Sequence, residues 1–186
     1  MGNGVKSFNS PVTLYGPGFV GGRYAEMYPD TLVQERDEYK PQSKKILYMI
    51  STVDNYNVHK NVGLDVDTNL RVLCDVLEHC RKEDIEFNFI SSWFVYGKGG
   101  PIPAFEDSLC NPTGFYSITK RCAEDLIKSF CDVYNMKYRI LRLCNVLGDD
   151  PKASKQKNAI MWMINQLKEH KPINLYDGGS HRRDVM

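Results

Sequence analysis

Tyr116 and Lys120 stand four positions apart in a stretch with helical spacing, which puts a phenol and an ammonium on one face about one turn apart. A neighbouring positive charge favours the phenolate, and a phenolate can take a proton from an alcohol. Ser92 closes a β-rich run, Glu86 to Ile90 followed by Ser91-Ser92, and its hydroxyl suits the task of holding the substrate oxygen. A second constellation, Gly16-Pro17-Gly18-Phe19-Val20-Gly21, lies between a short strand and a helix. The spacing G-x-G-x-x-G gives a tight turn, then close approach of backbone to a pyrophosphate, then close packing of helix on strand. Glu35 stands 19 residues beyond Gly16 (35 − 16), at the end of the second strand, where a carboxylate accepts hydrogen bonds from an adenosine ribose. Arg36 beside it would suit a 2′-phosphate, which Glu35 would repel, so NAD is favoured and NADP is the alternative. Together these residues point to a dinucleotide site beside a tyrosine that can serve as a base.

The elements that must position them follow from periodicity and from the turn formers. Strands are expected at Val12 to Tyr15, Thr31 to Gln34, Lys45 to Ile50, Glu86 to Ile90, Tyr138 to Leu143 (buried) and Ile173 to Tyr176. Helices are expected at Arg23 to Tyr28, Asp65 to Arg81, Tyr116 to Tyr134 and Ala159 to Lys168. In the second of these, Val66, Leu70, Leu73, Leu77 and Cys80 form the inward face. Lys98 to Gly114, rich in Gly and Pro, is a long loop of the kind that usually has a function. Strands alternating with helices predict an α/β fold, a Rossmann-like doubly wound parallel sheet. Ten residues between Glu35 and Ile46 are too few for a crossover helix and a further strand, so the first half is expected to be abbreviated.

Length and composition set the outer bounds. A chain of 186 residues, 42% hydrophobic and 25% charged, suits one principal globular domain over 1–186. A net charge of +1 supplies no field for nucleic acid or anionic lipid, so no nucleic-acid partner is expected. The longest apolar run, Ile46 to Ile50, is far too short to span a membrane. Six cysteines without a CxxC pair read as free thiols. The first residues lack a signal core, and cytoplasmic location is the expectation. The four histidines have no Glu or Cys at ligand spacing, so no metal site is expected.

The chain resembles the NAD-dependent epimerase/dehydratase family, the nucleotide-sugar-modifying extended branch of the short-chain dehydrogenases and reductases. The likeness is carried by Gly-Pro-Gly-Phe-Val-Gly; Ser91-Ser92-Trp93-Phe94-Val95-Tyr96-Gly97; Pro112 with Tyr116-Ser-Ile-Thr-Lys120 and Glu124; Arg142-Leu-Cys-Asn145-Val146-Leu-Gly148; and Tyr176-Asp-Gly-Gly-Ser-His-Arg-Arg183-Asp184. It implies that Ser92, Tyr116 and Lys120 form a catalytic triad, with Lys120 also touching the nicotinamide ribose. It also implies that Asn145 and Arg183 face the diphosphate of a nucleotide-sugar. A homodimer is implied too, through the helices beginning near Asp65 and at Tyr116.

The departures narrow the reading. Trp93 and Phe94 occupy positions where family dehydratases place proton-shuttling acids, which disfavours dehydration. Tyr15 stands where the family has its first fingerprint glycine, although Gly16 restores the general spacing. The chain stops at Val185-Met186, just where the family continues, so the expectation is either a fragment or a reduced version, with 146–186 including the beginning of a reduced, truncated substrate-binding part. The expected function is therefore a nucleotide-sugar epimerase or keto-sugar reductase. A catalytically silent NAD(P)-binding or assembly protein is the alternative.

Overall fold

The computed structural model describes residues 10–52, 57–81, 84–148 and 159–180. Two compact units emerge, Met1–Arg142 and Leu143–Met186. The first contains β1 (Thr13–Tyr15), α1 (Phe19–Met27), β2 (Leu32–Val33), β3 (Lys45–Tyr48) and β4 (Glu86–Ser92). Between β3 and β4 runs a helix assembled from α2 (Leu64–Val66), a π-helical turn Asp67–Arg71 and α3 (Val72–Glu78). Then come α4 (Phe115–Tyr134) and β5 (Lys137–Leu143), whose last residue opens the second unit. The second unit also holds α5 (Ala159–Lys168).

The strands form one sheet in the order β2-β1-β3-β4-β5. The pairs β1/β2, β1/β3 and β3/β4 are parallel, with Tyr15 opposite Tyr48 and Tyr48 opposite Phe89. This is the Rossmann-like α/β sheet, abbreviated as expected: the chain passes from β2 to β3 without a helix. Side chains replace the missing helix by serving the crossover backbone. Tyr15 Oη donates to the Tyr39 carbonyl at 2.7 Å, Gln34 Nε2 to the Lys40 carbonyl at 3.2 Å, and the Gln42 amide to Thr13 Oγ1 at 3.1 Å.

One face of the sheet carries the core. Tyr15, Ile46, Tyr48, Phe87 and Phe89 pack against Leu73, Val76, Leu77 and Cys80, and against Ala123, Ile127 and Cys131 of α4. Burial of this apolar surface is the main favourable term holding the helices on the sheet. At the start of α4, Ser117 Oγ accepts the Gly114 amide at 3.0 Å. The helix ends where Asn135 turns left-handed (φ 52°), with the Met136 amide donating to the Cys131 carbonyl at 2.9 Å.

Three sequence expectations are corrected. Ile173 to Tyr176 is not a strand; the chain there enters a 3₁₀ turn, Tyr176–Gly179. The strand over Tyr138 to Leu143 is not buried, because among the described residues β5 ends the sheet and has one neighbour; Tyr138 is 37% and Leu141 45% exposed. Val66 does not face inward, being 43% exposed, because the π-helical turn shifts the inward face to Asp65, Asn69, Leu73 and Leu77.

Candidate active site

The strand ends and helix starts meet where parallel α/β sheets collect ligands, at the carboxyl edge. After β1 the chain turns through Gly16, at φ +87°, where a Cβ would lie 2.7 Å from the Ile50 amide nitrogen. Gly21, inside α1, lies directly over the Gly16 carbonyl, and a side chain there would drive the helix off the turn. The N-terminus of α1 has no side-chain cap at Gly18, and the space a Cβ would take there is open. Free N–H groups and the positive helix end thus face a gap backed by bare backbone, which fits a dinucleotide diphosphate. Phe19 and Val20 supply two of those amides. The Gln34 amide donates to the Leu14 carbonyl at 2.9 Å, so the next residue, Glu35, runs beside the glycine turn. Glu35 and Arg36 are both exposed.

Ser92 is the last residue of β4 and 6% exposed, and Tyr116 is the second residue of α4. The structure places the two hydroxyls near one another, close enough for Ser92 to favour the phenolate. Ser51 Oγ also approaches the phenol, buried and without a hydrogen bond of ordinary geometry. The Phe94 ring meets Tyr116 edge-on, 6.1 Å between centroids, and Trp93 stacks on Phe94 at 4.5 Å. The phenol is pushed above its ordinary value, chiefly by burial; the Ser92 and Ser51 hydroxyls pull it down, and the charge of Asp65 pushes it up.

Lys120 departs from the sequence expectation that its ammonium would lower the phenol. Its Nζ donates to the Ile90 carbonyl at 2.7 Å and sits 4.6 Å from the centre of the Phe89 ring. Burial, with the side chain 3% exposed, drives it down to about 7, against a partial upward pull from Glu124. An unfolded chain therefore binds a proton at Lys120 that the folded chain lacks between about pH 7 and the ordinary lysine value. The contribution of Lys120 to stability therefore rises with pH across that window. Lys120→Met is expected to be more stable than the parent at neutral pH, the gap in melting temperature closing toward pH 10 or so. A gap that is flat with pH would show that the lysine keeps its charge when folded.

Glu124 is fully buried below this site and was noted in the sequence only as part of a motif. Its carboxylate takes Ser91 Oγ at 2.6 Å, and Arg142 in bidentate fashion, Nε at 3.0 Å and Nη2 at 2.8 Å. Arg142 Nη1 continues to Tyr96 Oη at 3.0 Å and to the Glu106 carbonyl at 3.2 Å, which ties the long loop to β5 and α4. Asp65, Asn69 and Thr52 are buried polar residues that periodicity did not single out. Of the proposed diphosphate ligands, Asn145 lies in the second unit just past β5, and Arg183 falls outside the described residues.

The NAD dependent epimerase/dehydratase family model matches residues 38–186. The chain belongs to this family. A protein of Methanocaldococcus jannaschii named "Putative UDP-glucose 4-epimerase" is 32% identical over 141 residues, covering 74% of this chain and 46% of that one. This chain thus spans about half the length of that relative. Among solved structures, a UDP-N-acetylglucosamine 4-epimerase from Methanobrevibacter ruminantium in complex with UDP-N-acetylmuramic acid superposes with a TM-score of 0.82 at 19% identity, over 95% of this chain and 68% of that chain. A UDP-glucose 4-epimerase from Thermotoga maritima with UDP-glucose gives 0.81 at 18% identity, over 97% and 69%. At such identities the likeness is one of fold. Among the described residues no helix of this family member is long and apolar enough to cross a membrane.

Proposed function

We propose that the chain is the NAD-binding and catalytic part of a nucleotide-sugar epimerase. The observation that carries this is the placement of Ser92, last in β4, near Tyr116 in the first turn of α4, at the carboxyl edge of the sheet that also presents the Gly16 turn. Gly16, Gly18, Phe19, Val20 and Gly21 hold the diphosphate and Glu35 the adenosine ribose. That carboxylate is the reason for NAD over NADP, with Arg36 turned to solvent at its side. The bound nicotinamide supplies a hydride acceptor that can give the hydride back. Tyr116 Oη takes the proton of a sugar hydroxyl and later returns it, Ser92 Oγ donates to the same oxygen, and Lys120, one turn on along α4, adds a proton-exchangeable amine. Trp93 and Phe94 have no proton to shuttle, which leaves epimerisation or simple reduction and disfavours loss of water. Asn145 and Arg183 serve the substrate diphosphate.

The experiment is a panel of UDP-sugars incubated with protein and NAD, with the C4 epimers separated by chromatography. Interconversion without net NADH supports the epimerase; steady consumption of NADH with a keto-sugar makes it a reductase; binding of NAD with no turnover on the panel ends the catalytic reading.

The same reading takes the protein as a homodimer. Phe115, Ile118, Leu126 and Val133 form an outward apolar stripe on α4 at 38%, 47%, 37% and 74% exposure, and Val62 and Val66 extend it beside α2. A two-fold four-helix contact would cover it. Sedimentation at micromolar concentration should give twice the chain mass, and a monomer removes this claim.

A further inference from the structure

The π-helical turn Asp67–Arg71 brings inward two polar residues, Asp65 and Asn69, that are 1% and 2% exposed. Such groups persist in a protein interior only when hydrogen-bonded, and π turns often mark functional sites. Asn69 Oδ1 accepts the Thr52 amide at 2.8 Å; its Nδ2 donates to Thr52 Oγ1 at 3.1 Å and to Thr119 Oγ1 at 2.9 Å. Asp65 Oδ1 accepts Asn57 Nδ2 at 3.2 Å and the Thr52 hydroxyl in a short contact. The end of β3, the π-containing helix and α4 are thereby pinned to one another.

The register of that contact matters. Both helices return over a parallel sheet and so run in the same direction. Asn69 meets Thr119, and one turn earlier on each helix stand Asp65 and Tyr116. Other groups facing the phenol are the Ser92 hydroxyl from β4, the Ser51 hydroxyl from the segment after β3 and the Phe94 ring edge. Lys120, on the same helix as Tyr116, is engaged at the Ile90 carbonyl. Among the described residues, Asp65 is thus the charge set against the phenol.

We propose that Asp65 is a positioning residue for the base: clamped by Thr52 and Asn57, it holds a negative charge one helix away from Tyr116 and keeps the hydroxyl protonated until a compensating charge arrives. The inference rests on the function proposed above for Tyr116. The burial-raised phenol, pushed further by Asp65, agrees with it.

The test is optical titration of the phenolate band in the full chain, each protein read as the difference from its own Tyr116→Phe counterpart. Asp65→Asn keeps an oxygen for Thr52 and removes the charge. It is expected to raise the phenolate fraction roughly threefold to tenfold at pH well below the midpoint. Thr52→Val removes a donor from the carboxyl and leaves the charge, and it is expected to move the titration the other way. An unchanged or opposite titration in Asp65→Asn overturns the proposal. Should that variant not fold, an unchanged titration in Thr52→Val overturns it instead. In turnover, Asp65→Asn should shift the acid limb of kcat/KM to lower pH while keeping the plateau; a loss at every pH would mean a merely structural role. If no UDP-sugar is turned over, the optical titration still reads the influence of Asp65, so the two claims fail separately.

Discussion

Tyr116→Phe is expected to lower epimerase turnover about a hundred- to ten-thousand-fold while the protein stays folded and still binds NAD. The ring keeps its edge-on contact with Phe94 at 6.1 Å, so packing is retained and only the hydroxyl is lost. With it would go the atom that, on the function proposed above, Ser92 orients and that takes the sugar proton. The loss should fall on kcat and kcat/KM together, since the missing interaction forms as the proton moves. Ser92→Ala should cost less, because it removes a hydrogen bond to the oxygen and leaves the base. Turnover within a few-fold of the parent in Tyr116→Phe would place the chemistry elsewhere.

The second large effect is on stability. Glu124→Gln leaves Arg142, whose side chain is 13% exposed, without its carboxylate. Breaking a buried ion pair by removing one partner costs about 3–5 kcal/mol. For a chain of this size that is a fall of roughly 10 °C in melting temperature. The long loop should loosen too, because Arg142 carries the bonds to Tyr96 and to the Glu106 carbonyl. Hydrogen exchange of the amides around Glu106 reads that directly. Glu124→Leu combined with Arg142→Met should recover part of the loss, since a matched apolar pair leaves no charge stranded.

Acid dependence gives an independent check on Glu124. Burial alone would push this carboxyl up, but hydrogen bonds from Arg142 and Ser91 and the charges of Arg142 and Arg121 hold it below the ordinary value. A lowered folded-state value means stability that is fully present above the unfolded value and lost as pH falls through the folded one. The gap between parent and Glu124→Gln should therefore be wide at neutral pH and shrink below about pH 4. A gap constant down to acid pH would mean that the carboxyl titrates as in the unfolded chain.

Elements with strong local signals were legible. Glycine spacing announced the turn before α1, periodicity announced α4, and a count of residues between Glu35 and Ile46 announced the shortened first half. Five motifs in order announced the family, and the matching of residues 38–186 agrees. The burial of β5 and the strand at Ile173 were misjudged, because apolar composition does not reveal whether a strand has a neighbour on each side. The inward face of the helix through Asp65 was misjudged by one residue, because a π turn leaves no mark in a hydrophobic repeat.

What the amino-acid sequence by itself determined was which chemical groups are present and which lie near one another along the chain: the glycine turn, Ser92 closing a strand, Tyr116 and Lys120 one helical turn apart. Such features depend on backbone geometry over a few residues, and that geometry is the same in any fold. Tertiary structure alone decided how those groups are charged. It buried Lys120 against the Ile90 carbonyl, set Asp65 one helix away from Tyr116, and closed Glu124 onto Arg142 across a separation of 18 residues. Ionisation depends on solvent exclusion and on the distance between charges, and both are properties of packed helices and strands that no local pattern contains.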